Sequence, residues 1–167
     1  MTRGAFDDLL AGNANYAATF THAELSASAA RGLAIVTCMD SRIAPLAVLG
    51  LGPGDAKVLR NAGARVTEDV LRTLVLAVYL LGVNRVLVMP HTDCKMASAT
   101  EDEMHALIDA QYGIDTRSLE FRTVNDQVAA LEQDLVRIRS YPLLPGNLSV
   151  GGGIYNVATG LFDPIEL

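Results

Sequence analysis

The sequence has no tryptophan and only two cysteines among its 167 residues. So few thiols exclude a disulfide-stapled scaffold and leave Cys38 and Cys94 as packing residues, metal ligands or nucleophiles. Basic residues are also scarce. With 13 Lys and Arg against 19 Asp and Glu, the formal net charge of −6 speaks against nucleic-acid partners and anionic membranes, both of which need basic surface. The longest uncharged apolar run, Leu74 to Val83, falls well short of the about 20 residues that a membrane-spanning helix requires. The opening stretch MTRGAFDDLLAGN carries Asp7 and Asp8 where a secretory signal would need its apolar centre, so a cytoplasmic location is expected. Repeats, low-complexity tracts and linkers are missing too. The chain therefore reads as one domain over residues 1–167, with half of its residues hydrophobic and enough length to bury a substantial core.

What is present is an alternation of strands and helices. A segment around Phe6, Leu9, Leu10, Tyr16 and Phe20 has the spacing of an amphipathic helix and forms, with the looser THAELSASAARG, an N-terminal helical arm of about residues 1–30. GLAIVTC is a buried strand ending at Cys38, IAPLAVLG a short helical piece, and AKVLRNAG a second strand closed by Gly63. A longer helix then starts with Thr67 as N-cap, carries Glu68 and Asp69 in its first turn, and stops at Gly82. NRVLVMP is a third strand. TEDE at residues 100–103 has capping-box spacing for a helix ending near Gly113, and another helix presents Val128, Leu131, Leu135 and Ile138 on one face. GGGIYNVATGLFDPI looks like a closing strand and tight turn. The pattern predicts an α/β fold with a mainly parallel sheet flanked by helices. In such sheets ligands gather at the carboxyl ends of the strands, where Cys38, His91 and Cys94 all fall.

Cys38 is followed by Asp40 and Arg42, and His91 and Cys94 form an H-x-x-C unit. Two thiolates and an imidazole suit Zn²⁺. No fourth Cys or His is evident: His22 lies in the early connection, and His105 is expected on a helix surface. Asp40 is the remaining candidate. It can coordinate the metal, or pair with the Arg42 guanidinium through two parallel hydrogen bonds and leave the fourth position open. A plainer reading makes both cysteines small buried residues and Asp40 or Ser41 a helix cap.

C-x-D-x-R as Cys38, Asp40 and Arg42, then RNAG, then His91 and Cys94, resembles the β-class carbonic anhydrases, in particular short bacterial members. The resemblance extends over most of the chain and implies a zinc enzyme that hydrates CO2 reversibly to bicarbonate and a proton through zinc-bound hydroxide. It implies Cys38, His91 and Cys94 as ligands, Asp40 and Arg42 as the gate at the metal, and a homodimer or dimer-based oligomer embraced by the N-terminal helix. Two thiolates cancel the charge of the zinc, so activity is expected to favour alkaline pH. Lys95 stands where many members have glycine. The same site also suits a CS2 or COS hydrolase, or a non-catalytic zinc- or bicarbonate-responsive module. Arg60 and Asn61 are placed either at the cleft or in a sheet-edge turn. The GGG at residues 151–153 lacks the Lys-Ser/Thr of a phosphate loop and is expected to reflect backbone crowding.

Overall fold

A computed structural model describes residues 4–166; Met1, Thr2 and Arg3 of the expected arm, and Leu167, lie outside the described residues. The order is α1 (Asp7–Ala18), β1 (Leu33–Cys38), α2 (Pro45–Val48), β2 (Ala56–Asn61), α3 (Glu68–Leu80), β3 (Arg85–Met89), α4 (Glu101–Tyr112), α5 (Gln127–Arg139), β4 (Ser149–Tyr155) and β5 (Phe162–Pro164). The strands form a sheet in the order β2-β1-β3-β4-β5. The first four are parallel and β5 is antiparallel to β4. The closing segment is thus a strand pair and not a single strand, because Asn156–Leu161 turns the chain back on itself.

β1 lies at the centre, and all six of its residues are buried. A strand covered on both faces gains from apolar side chains at every position, so LAIVTC shows no alternation. Ala34 and Val36 face one cluster, made by Val70, Leu71 and Leu74 of α3 with Leu131, Leu135 and Ile138 of α5. Leu33 and Ile35 face the other, under Ile43, Met89 and Tyr155. Thr37 is buried without penalty because its hydroxyl donates to the Met89 carbonyl at 2.7 Å.

The helix ends follow their expected chemistry. Thr67 accepts from the Val70 N–H, and Thr100 and Glu103 form a reciprocal capping box. Asp126 caps α5 through the N–H groups of Val128 and Ala129. Val128 itself is exposed: it sits in the first turn, off the buried stripe, and Asp134 takes a buried position between Leu131 and Leu135. Neither Asp40 nor Ser41 caps α2, whose N-cap is Ala44 with Pro45 inside the first turn. α1 has no buried residue, and Phe6, Leu9, Leu10, Tyr16 and Phe20 are all exposed. No helix among the described residues is long and apolar enough to cross a membrane.

The expected crowding at GGG is present. A Cβ on Gly152 would lie 2.9 Å from Leu131 Cδ1 and 3.0 Å from the Val88 carbonyl oxygen, so only glycine lets β4 approach α5 and β3 this closely.

Candidate metal centre

Because β1 pairs with β3 in register Thr37↔Met89, the loops that leave these two strands start side by side. Cys38 ends β1, and the chain beyond β3 carries His91 into a bridge with Tyr155 of β4. Thr92 secures this segment by donating its N–H to the Tyr155 carbonyl and accepting from the Val157 N–H. Gln127, at the start of α5, donates to the His91 carbonyl at 2.7 Å. The result brings one donor atom each of Cys38, His91 and Cys94 within 4.8 Å of one another, with all three residues buried.

Each of these groups is poised for a cation. His91 Nδ1 lies 2.8 Å from the Thr92 carbonyl, an acceptor, which places the ring proton on Nδ1 and the lone pair on Nε2. That Nε2 is buried and has no hydrogen-bond partner among the described residues. A buried polar atom without a partner is costly, and here it faces two free thiols whose sulfurs are 3.9 Å apart. Burial pushes the Cys94 thiol up to about 11, with Cys38 and Asp40 adding upward against a hydrogen bond from the Met96 backbone. A bound cation reverses that balance by favouring thiolate. One nitrogen and two sulfurs are the donor set that Zn²⁺ fits.

Asp40 stands at the rim of the cluster, with Oδ2 3.8 Å from His91 Nε2. Arg42 Nε and Nη2 donate to its two oxygens at 3.0 and 2.7 Å, and the Arg42 backbone N–H donates to Oδ1 at 2.9 Å. These hydrogen bonds hold the carboxyl well below the usual carboxylate range, with the Arg42 side chain as the largest cause. Asp40 is therefore paired with Arg42 and turned to the edge of the donor cluster.

Against known proteins, the carbonic anhydrase family model matches residues 33–113. β-Carbonic anhydrase 1 of Mycobacterium tuberculosis is 38% identical over 160 residues, spanning 95% of this chain and 96% of the relative. The chain belongs to the β-carbonic anhydrase family. The solved carbonic anhydrase of Streptococcus mutans superposes with a TM-score of 0.92 at 34% identity, over 99% of this chain and 100% of the other. The fold expected from the sequence is thus that of β-carbonic anhydrases. A carbon disulfide hydrolase of Saccharolobus solfataricus is 30% identical over 153 residues, 77% of this chain and 74% of the relative.

Residues outside the C-x-D-x-R and H-x-x-C units shape the loops around this donor cluster. Arg60 donates to the carbonyls of Cys38, Asp40 and Ile43, at 2.9, 2.5 and 3.2 Å, and so braces the loop between β1 and α2. Asn61 exchanges hydrogen bonds with the Arg65 backbone and shapes the turn after β2. In that turn Gly63 has φ +77°, and a Cβ there would also lie 3.2 Å from Met96 Cβ, beside Cys94. Lys95 is exposed and His22 lies in the exposed early connection.

His105 departs from its expected surface position. It is buried, with Nδ1 2.8 Å from the Thr116 hydroxyl and its ring 4.9 Å from that of Phe121. The partners come from the segment after α4, so the helical period alone gave no sign of them. Sequence reasoning also missed Asp93, whose carboxylate accepts from Arg42 Nη1 at 2.7 Å. An aspartate inside H-x-x-C that can adopt a left-handed backbone was the available signal.

Proposed function

We propose that this protein catalyses the reversible hydration of CO2 to bicarbonate and a proton, with Zn²⁺ held by Cys38, His91 and Cys94. The observation that carries this reading is the buried, unpartnered Nε2 of His91 facing two free thiols, with the Asp40 and Arg42 pair at its edge. When bound, zinc supplies the Lewis acidity that makes a nucleophile of water near neutral pH.

The chain's own residues govern what happens around that group. Asp40 stays ionised at neutral pH because Arg42 holds it there, so Oδ2 accepts a hydrogen bond and does not take up the proton. Asp40 would thereby orient a hydroxyl group beside the donor cluster without acting as the proton acceptor. Ile43, Ala64, Met89 and Tyr155 pack around the two thiols and give an apolar wall suited to an uncharged substrate. Asp40 has a second role. Freed from Arg42, its carboxylate, 3.8 Å from His91 Nε2, would be a further ligand for a metal held there and would silence the site.

The working unit in this reading is a homodimer or dimer-based oligomer. α1 and the residues beside it carry exposed Leu9, Leu10, Tyr16 and Phe20, and α1 has no buried residue among the described residues, so a second copy is the natural cover. The two free thiols fit a reducing compartment, the cytoplasm.

One finding favours a second reading, hydrolysis of CS2: a relative at 30% identity is named for that reaction. Stopped-flow measurement of CO2 hydration by zinc-loaded protein, with CS2 turnover run in parallel, separates the two. Fast CO2 hydration is expected. Turnover of CS2 with none of CO2 would transfer the assignment to the hydrolase reaction, and silence with both would reduce the site to a zinc-binding module.

A further inference from the structure

We propose that Asp93 is a positioning residue that latches Arg42 against Asp40, so that the gate has three members and spans both loops of the metal centre. This rests on the zinc site proposed above.

Arg42 has five N–H donors, and the structure engages four of them. Nε and one hydrogen of Nη2 go to Asp40. The remaining Nη2 hydrogen goes to the Asp93 carbonyl at 3.1 Å, and Nη1 goes to Asp93 Oδ2 at 2.7 Å. Asp93 has φ 55°, a left-handed backbone that aspartate tolerates better than most residues. In that conformation its carbonyl and its carboxylate meet the same guanidinium. Asp93 lies between His91 and Cys94, so the guanidinium joins the loop after β1 to the loop after β3.

The latch matters because the Arg42 side chain is 45% exposed. A long exposed side chain tied on one side only loses much of its pairing energy to rotamer freedom. Anchored on two sides, Arg42 stays in the place where it occupies both Asp40 oxygens. Without Asp93 the pair opens more often, and Asp40 is released 3.8 Å from His91 Nε2.

The test uses Asp93→Gly, which keeps the left-handed backbone and deletes the carboxylate, and Asp93→Asn, which keeps the shape and removes the charge. Three quantities are read: zinc content, CO2 hydration, and the visible spectrum of the Co²⁺-loaded protein, which reports the ligand set around the metal. Expected for Asp93→Gly are full zinc content, a fall in hydration of about fivefold, and a cobalt spectrum displaced in the same direction as in Arg42→Ala. Asp93→Asn should fall between it and the wild type. Adding Asp93→Gly to Arg42→Ala should cost nothing further, since both act through one guanidinium. A wild-type rate and spectrum in Asp93→Gly, independent effects in the double variant, or loss of zinc from both Asp93 variants would overturn the latch. If the wild type binds metal but hydrates no CO2, the reaction assignment fails by itself and the cobalt spectra still decide the latch.

Discussion

Asp40 Oδ2 lies 3.8 Å from His91 Nε2, yet both oxygens of Asp40 are held by Arg42. The carboxylate nearest the buried donor cluster is thus restrained from joining it. In the proposed function Cys38, His91 and Cys94 hold the metal while Asp40 and Arg42 control access to it, so the two groups should respond differently to substitution.

Cys94→Ser replaces a soft sulfur donor with a hydroxyl that stays protonated, while Asp40, Arg42 and the sheet remain as they are. Atomic spectroscopy should find about one zinc per chain in the wild type and little in the variant, with hydration lost in parallel. Full occupancy in Cys94→Ser would remove Cys94 from the ligand set.

Asp40→Asn keeps the size of the side chain but loses the charge that Arg42 pairs with and part of its acceptor capacity. Zinc content should be retained while hydration falls about 10- to 100-fold, as for residues that orient groups at a metal without binding it. Unchanged hydration would show that Asp40 has no part in orienting the reacting group.

A largely buried ion pair outside the donor cluster offers a stability test. Arg65 Nε donates to Asp134 Oδ2 at 2.7 Å, with side-chain exposures of 16% and 6%, and so ties the turn after β2 to α5. Asp134→Ala strands the Arg65 charge and should cost about 3 kcal/mol in urea unfolding. The double replacement Arg65→Met with Asp134→Leu should recover most of that loss. A double variant as unstable as Asp134→Ala would mean that the pair contributes more than the removal of an unpaired charge.

Acid stability should depend on Glu101. Burial acts to raise its carboxyl, but the N–H groups of Phe121 and Thr123, with His105 nearby, outweigh it, and the net shift is below the ordinary 4.5. A depressed folded value means that its stabilisation is fully present above the unfolded value and is lost as pH falls through the folded one. Thermal melting followed from pH 6 down to about 3 should therefore decline less steeply for Glu101→Gln than for the wild type. Parallel declines would contradict this part of the account.

Much of this architecture was legible because a buried parallel sheet leaves a strong trace. LAIVTC and RVLVM are short apolar runs between turn signals, and adjacency of their strands was enough to bring Cys38, His91 and Cys94 to one rim. Caps at Thr67 and Thr100 were readable because they depend on neighbours within one turn. What escaped depends on distant parts of the chain. Asp134 lies on the apolar face of α5 and is buried there only because Arg65 reaches it. His105 is buried because Thr116 satisfies its Nδ1 and Phe121 covers its ring. Asp93 takes its place from a left-handed backbone between two buried donors, which no helical or strand period encodes.

The most direct test of the gate is the pH profile of CO2 hydration, measured with zinc content on the same samples, for the wild type and Arg42→Ala. Zinc should remain at about one per chain in both. Wild-type activity should rise toward alkaline pH, because two thiolates reduce the effective charge of the metal. Arg42→Ala should lose at least about tenfold across the range, because Asp40 is no longer held from the metal. A variant with full zinc and wild-type hydration at every pH would contradict the central claim that the Asp40 and Arg42 pair keeps this site open.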